Sequence, residues 1–85
     1  MKVRVEVTQE DIEKGKRKAG WACPIARAIK RRVPQSRRRD VFVEHALWEV
    51  GYHVRPLPRT AQRFVKRFDA GEPVKPFAFM TEVPD

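Results

Sequence analysis

Residues 2–14, KVRVEVTQEDIEK, change from a strand pattern to a helix pattern within a few positions. Valines at every second position of residues 2–8 alternate with charged side chains, which predicts a half-buried strand. Thr8 then begins the sequence TQED, in which Asp11 follows at the spacing of a capping box. A short helix over residues 9–14 is therefore expected directly after the strand.

Two further helices are predicted downstream. Pro24 suits the first turn of a helix because its missing N–H is not needed there, and this helix is expected to run to about Arg32. Its apolar residues recur at helical spacing, so we expect its basic side to face outward. Another helix is predicted over residues 60–70, closed by Gly71. The apolar positions that define its buried face are Ala61, Phe64, Val65 and Phe68.

The remaining segments predict strands. Residues 41–50 and 52–57 are rich in β-branched and aromatic side chains, and Gly51 between them can adopt the positive φ of a tight turn, so a hairpin is expected. A last strand is predicted at residues 77–83. The order β-α-α-β-β-α-β predicts an α+β fold, with helices on one face of a four-stranded antiparallel sheet and a ferredoxin-like topology as the leading interpretation. A chain of this length is expected to form a single domain, residues 1–85.

Charge is distributed unevenly along the chain. Nineteen Lys and Arg residues against eleven Asp and Glu residues give a net charge of +8. Residues 1–39 contain thirteen basic and four acidic side chains, whereas the rest of the chain contains six and seven. This asymmetry predicts a polyanionic partner, either nucleic acid or a phosphate-bearing nucleotide. The twelve arginines suit bidentate phosphate contacts, but they also fit a GC-rich genome.

The candidate phosphate-binding residues form two clusters. One lies on the predicted second helix and in the charged loop after it, and the other precedes that helix, where Trp21 offers a stacking surface. Two alternatives remain open: the cations form an ordinary solvated face, and Trp21 belongs to the core. The predicted site residues are Lys16, Arg17, Lys18, Trp21, Arg27, Lys30, Arg31, Arg37, Arg38 and Arg39.

Cys23 is the residue that suggests catalysis. Its position at the head of a predicted helix, beside basic residues, would favour a thiolate. A nucleophilic cysteine also needs a base, and a turn at Val50 and Gly51 would place His45 and His53 about 10 Å apart on opposite sheet faces. We therefore expect a buried and inert thiol in a protein that is not an enzyme, with no catalytic residue, no metal site and no cofactor.

The expected location is cytoplasmic. A single cysteine cannot form an internal disulfide, and the first residues lack the charged and apolar pattern of a secretory signal. No apolar run approaches the roughly 20 residues that span a bilayer. Contact with a membrane is therefore not expected.

Several sequence blocks occur in order along most of the chain. They are V-T-x-x-D-I-x-x-G at residues 7–15, C-P-I-A-x-A-I at 23–29, R-P-L-P at 55–58 and A-x-x-F-V-x-x-F-D-A-G-x-P-V-x-P-F-x-F at 61–79. In these blocks the chain resembles a family of small uncharacterised proteins encoded by bacteriophages. The resemblance implies a phage origin and a location in the host bacterial cytoplasm, and it implies no activity. The arginine-rich residues 30–39 lie outside the blocks.

Together these features predict a small, non-enzymatic phage accessory protein that binds nucleic acid through an Arg- and Lys-rich surface. The alternative is a counter-defence protein that sequesters a host signalling nucleotide or inhibits a host protein by direct contact. A homodimer is compatible with either interpretation. The two differ in geometry, because a nucleic-acid binder needs an open basic stripe and a sequestering protein needs a concave pocket that combines two or three arginines with an aromatic wall.

Overall fold

The computed structural model describes residues 1–84 of the chain. The elements in chain order are β1 Lys2–Val7, α1 Gln9–Lys14, α2 Pro24–Lys30, a 3-10 helix Gln35–Asp40, β2 Val41–Val43, β3 Leu47–Val50, β4 His53–Pro56, α3 Arg59–Asp69 and β5 Phe77–Glu82. The α+β class predicted from the sequence is confirmed. No helix within residues 1–84 has both the length and the apolar character needed to cross a bilayer.

The strands form two antiparallel sheets, so the predicted single four-stranded sheet is wrong. β1 pairs with β5 along its whole length, and β2, β3 and β4 form a separate three-stranded meander. The single strand predicted at residues 41–50 is two strands, because the chain reverses at residues 44–46 and β3 folds back onto β2. The sequence of that turn, EHA, contains neither glycine nor proline, so the run of strand-forming residues hides it. The ferredoxin-like topology, which needs one continuous sheet, does not form.

The turn between β3 and β4 follows the predicted glycine but lies one residue further along. Gly51 has φ of +59°, a conformation that glycine adopts without steric penalty. Val50 pairs with His53, so the turn residues are Gly51 and Tyr52 and not Val50 and Gly51. The predicted turn at Val50 and Gly51 would have paired Trp48 with His53, whereas the observed register places Trp48 opposite Arg55.

Trp48 joins the two sheets. Its side chain is fully buried, and its indole Nε1–H donates a hydrogen bond of 2.8 Å to Oγ1 of Thr81 on β5. Because a buried indole N–H without a partner is destabilising, this bond fixes how β3 meets β5. The buried apolar residues around it come from both sheets, α2 and α3. The largest contributions are Val5, Val7, Ile25, Ile29, Val41, Val50, Leu57, Phe64 and Phe79.

The helices follow their predicted local signals closely. α1 has the predicted bounds, and its capping box is complete: Thr8 Oγ1 accepts from the backbone N–H of Asp11 at 3.2 Å, and Asp11 Oδ2 accepts from the backbone N–H of Thr8 at 2.9 Å. α2 ends two residues earlier than predicted. The charged segment predicted as a loop is the 3-10 helix, which starts with a bond of 2.9 Å from the backbone N–H of Arg37 to the carbonyl of Pro34.

Candidate nucleic-acid interface

The basic side of α2 does not simply face solvent as predicted, because two of its arginines bind Asp11 of α1. Arg31 donates from Nη1 to Asp11 Oδ1 at 2.7 Å and from Nη2 to Asp11 Oδ2 at 2.6 Å, which makes the pair bidentate. Arg27 adds a bond from Nε to Oδ1 at 3.3 Å. The Asp11 side chain is fully buried. These three residues, which we call the Asp11 cluster, hold α2 against α1.

The charges of the Asp11 cluster stabilise one another. Burial alone would raise the pKa of Asp11, but the hydrogen bonds from Arg31 and Thr8 outweigh it and lower the pKa from 3.8 to about 2. The hydrogen bond to Asp11 raises the pKa of Arg31 above its ordinary value. Arg31 also donates to the carbonyl of Glu6 at 2.9 Å. The donors of this guanidinium are therefore largely used within the protein.

Trp21 lies on the surface and not in the core. Its side chain is 61% exposed, and its ring centroid is 5.9 Å from that of Phe42 at an interplanar angle of 34°. Lys30 Nζ donates to the backbone carbonyl of Trp21, so this predicted site residue holds the loop that carries the indole. An exposed indole supported by a second ring is a suitable platform for stacking.

Residues 16–18, which we call loop 16–18, are exposed and dock on the C-terminal end of α3. The backbone N–H of Lys18 donates to Asp69 Oδ1 at 2.8 Å, and Lys18 has φ of +57°, which is unfavourable for a residue with a side chain. The guanidinium of Arg17 lies against Gly71, whose φ is +78°, since a Cβ added there would be 2.6 Å from Arg17 Nη1. The three cationic side chains of the loop have no carboxylate partner among residues 1–84.

The outer face of α3 carries a second basic region, which the sequence-based site prediction missed. Arg59, Arg63, Lys66 and Arg67 have the spacing i, i+4, i+7 and i+8, share one helix face and are exposed. We call them the α3 stripe. Only Arg67 has an acidic partner within the described residues, Glu72 at 3.4 Å. The helical spacing of these cations could have revealed them, but acidic residues elsewhere in the second half of the chain cancel their charge.

Arg37, Arg38 and Arg39 occupy the 3-10 helix, which contacts β3. Arg38 and Arg39 are exposed, and Arg37 is partly buried. Within residues 1–84, no hydrogen bond or ion pair links this helix to loop 16–18. The two predicted clusters are joined instead at Lys30, which donates to the carbonyl of Trp21.

An apolar groove opens beside loop 16–18. It has a volume of about 740 Å3 and lies between that loop, the turn that joins β2 to β3, and the inner face of α3. The rings of Phe42, Phe64 and Phe68 and the side chain of Leu47 contribute to its walls. The polar side chains that line it are Lys18, Glu44, His45 and Asp69.

Cys23 lies in the wall of this groove and is buried, as predicted. Burial raises the pKa of its thiol, although the backbone N–H of Ala26 donates to its Sγ at 3.4 Å. A thiol with a raised pKa is a poor nucleophile at neutral pH, because the thiolate is the reactive form. Among the described residues, no three His, Cys, Asp or Glu side chains come together as a metal site.

Comparison of the chain with family models, with curated proteins and with solved structures finds no match. The resemblance to phage proteins therefore stays a prediction. The function has to be argued from the charges, the groove and the exposed indole of this chain.

Proposed function

We propose that this protein is a small, non-enzymatic bacteriophage accessory protein that binds nucleic acid through loop 16–18 and the α3 stripe. The observation that carries the proposal is that loop 16–18 docks on the C-terminal end of the helix that carries the α3 stripe, where the Lys18 N–H donates to Asp69. Of their seven cations, only Arg67 has an acidic partner within residues 1–84. Phosphates would relieve the repulsion among the remaining six, which makes a polyanion the favoured partner.

The shape of the basic surface supports a backbone-binding role. From Arg59 to Arg67 the α3 stripe is about 12 Å long at 1.5 Å per residue. A strand of duplex DNA places one phosphate per about 3.4 Å of helix axis, so the stripe matches roughly three to four phosphates. Open spacing of this kind suits a chain of phosphates better than one compact anion. It also predicts affinity with little sequence preference, because phosphate contacts carry no base information.

The predicted site residues do not contribute equally in this proposal. Arg27 and Arg31 are assigned a structural role, since their donors bind the buried Asp11. Lys30 acts through the loop that presents Trp21. The exposed Arg38 and Arg39 remain candidates for an additional phosphate contact, together with Arg37.

The test is the salt dependence of duplex DNA binding, measured by fluorescence anisotropy. Each lost phosphate contact makes the slope of log K against log[salt] shallower by about 0.9. We expect the pair Arg63→Ala with Lys66→Ala, and separately the pair Lys16→Ala with Arg17→Ala, to make the slope shallower by about 2. The matched control, Lys2→Ala with Arg4→Ala on the outer face of β1, removes the same charge and should leave the slope close to that of the wild type. Equal changes in all three variants would show an effect of net charge alone.

The contribution of the 3-10 helix is measured in the same assay. Replacing Arg37, Arg38 and Arg39 with alanine makes the slope shallower by about 2 to 3 if all three contact phosphates, as the sequence predicts. An unchanged slope would show that this helix does not contact the phosphates. If the wild-type protein shows no salt-dependent binding of DNA or RNA near physiological ionic strength, the proposed function is wrong.

The groove favours a second candidate, a protein that sequesters a host signalling nucleotide. An aromatic wall next to Lys18 supplies part of the pocket geometry that this function needs, although no arginine of the described residues lines the groove. This candidate predicts tight binding of a free nucleotide with a salt slope near that of one or two phosphates. Isothermal titration of mononucleotides and dinucleotides separates it from the leading proposal.

A further inference from the structure

We propose that the groove beside loop 16–18 receives an unstacked base of single-stranded nucleic acid. This inference rests on the proposed function, because the basic surface would supply the phosphate contacts and the groove would supply a contact to the base. It goes further in assigning the preferred form of nucleic acid and the place where a base is held.

The size and walls of the groove suit a flat aromatic ligand. Its volume of about 740 Å3 lies within the range of about 300 to 1,000 Å3 that small-molecule sites occupy. Its walls include aromatic residues from two different elements, Phe42 of β2 and Phe64 and Phe68 of α3. Bases of any sequence can stack on aromatic rings, because every base has a π-face. The walls therefore favour a base over a charged group.

The charges of the groove indicate which part of a nucleotide enters it. The carboxylates of Glu44 and Asp69 line the groove and would repel a phosphate. Carboxylate oxygens accept hydrogen bonds from the exocyclic amino groups of bases, as they do for cytosine. Lys18 belongs both to the groove and to loop 16–18, so a phosphate on the loop and a base in the groove can come from one nucleotide.

Trp21 provides a second stacking surface next to the groove. It contacts Phe42, whose ring lines the groove, and its indole is 61% exposed. The exposed indole and the Phe42 ring beside it form an aromatic surface on which a base can stack. A base on Trp21 and a neighbouring base in the groove would follow the path of one strand.

This arrangement favours single strands over duplexes. A base within a duplex is paired and stacked, and it must be flipped out before it can enter a pocket, which opposes binding. An unpaired base has no such requirement. We therefore expect single strands to exceed a duplex of equal length in affinity when phosphate contacts are matched.

The experiment compares a short single-stranded oligonucleotide with an abasic strand of the same length and the same backbone. Anisotropy of a label on each strand measures its affinity for the intact protein. Because base stacking on an aromatic side chain strengthens binding by roughly tenfold per base, we expect the base-bearing strand to bind at least tenfold more tightly. The salt slopes of the two strands should agree, since their phosphates are the same.

A groove-filling variant tests the location of the base. Ala46 lines the groove and is exposed, so Ala46→Trp blocks the groove without removing a buried side chain. We expect this variant to lose most of the tenfold difference while it keeps the salt slope of the wild type. The matched control is Val54→Trp on β4, an exposed position outside the groove. It should keep the wild-type affinity difference between the two strands and the wild-type salt slope. A second variant, Trp21→Ala, should reduce the difference in part, and thermal melting confirms that each variant is folded.

The outcomes separate the two proposals. Equal affinity for the base-bearing and abasic strands overturns the base site and leaves the phosphate-binding function standing. Unchanged base dependence in a folded Ala46→Trp protein overturns the assignment to this groove. Mononucleotide binding as tight as that of the strand overturns the assignment to single strands and supports nucleotide sequestration. Failure of both strands and of the duplex to bind overturns the proposed function and this inference together.

Discussion

Two basic regions of this protein look alike in sequence and differ in what their charges meet. In the Asp11 cluster, Arg27 and Arg31 bind a fully buried carboxylate. In loop 16–18 and the α3 stripe, six of seven cations have no acidic partner within residues 1–84. The comparison teaches that a count of cations does not identify an interface. One acidic residue at the right place converts arginines from candidate ligand contacts into structural supports.

The physical basis of the difference is the environment of the acid. A carboxylate removed from water must be paired and hydrogen-bonded, so Asp11 depends on both arginines and on Thr8. The cations of loop 16–18 and the α3 stripe are exposed to solvent, and none of them pairs with a buried acid among residues 1–84. Loss of a residue from the Asp11 cluster should therefore affect stability, whereas loss from the other region should affect binding.

The largest expected effect is that of Asp11→Ala. It leaves two guanidiniums without their acid and removes the capping-box bond that the Asp11 carboxylate accepts from the backbone N–H of Thr8, so the free energy of unfolding should fall by about 3 to 5 kcal/mol. Denaturant unfolding followed by circular dichroism measures the loss. The matched control on the same helix is Glu10→Ala, which breaks an exposed pair with Lys14 and should change stability by about 0.5 kcal/mol or less. Similar losses in both variants would contradict the special role of Asp11.

Low pH should lower the stability of the protein, because it protonates Asp11. Because the pKa of Asp11 is about 2 in the folded protein and 3.8 without these interactions, the stabilisation is present at higher pH and is lost as pH falls from about 4 through about 2. The difference corresponds to about 2 kcal/mol. Unfolding free energies measured across this pH window give the value. The variant Asp11→Asn should lose this part of the pH dependence, and an unchanged acid profile in that variant would refute the assignment.

Arg31→Ala separates the two regions most directly. Asp11 keeps hydrogen bonds from Arg27 and from the Thr8 N–H in this variant, so we expect a smaller loss of stability than for Asp11→Ala, about 1 to 2 kcal/mol. The salt slope of DNA binding should stay as in the wild type. Arg32→Ala next to it is the control, because Arg32 is exposed and shows no ion pair within residues 1–84. A slope shallower by about one unit in Arg31→Ala alone would extend the interface to the Asp11 cluster.

The smallest expected effect on stability is in the α3 stripe. Arg63→Ala with Lys66→Ala removes two exposed side chains that have no acidic partner among the described residues, and alanine is a strong helix former. The free energy of unfolding should therefore stay within about 0.5 kcal/mol of the wild type while the salt slope changes. Thermal and denaturant unfolding check the first part. A loss above about 1 kcal/mol would show that these cations have a structural role as well.

Local signals account for the parts of the fold that were predictable. The valine alternation of β1, the capping box of Thr8 and Asp11, and the apolar spacing of α3 each depend on residues within a few positions of one another. The same holds for the turn glycine, Gly51. The break of the predicted strand 41–50 was not predictable in this way, since strand-forming residues on both sides of the turn pair with each other.

The candidate site likewise combines features that local sequence indicates with features that depend on contacts between distant segments. Loop 16–18 and Trp21 were candidate site residues in the sequence, which left open whether Trp21 belonged to the core, and the spacing of the α3 stripe was available in the sequence. The pairing of Arg31 with Asp11 joins residues twenty positions apart, and the spacing of neither residue indicates it. The groove combines side chains from three separate segments, so no single motif describes it.

The sequence by itself determined the α+β class, the strand-to-helix switch at Thr8 and the excess of positive charge. Each is a property of composition or of neighbouring residues, where backbone preferences and side-chain periodicity act directly. Only the tertiary structure decided that the strands form two sheets joined by Trp48 and Thr81. It also decided which cations have no acidic partner among residues 1–84. The reason is that burial and ion pairing depend on distances between segments far apart in the chain, and packing of the whole core sets those distances.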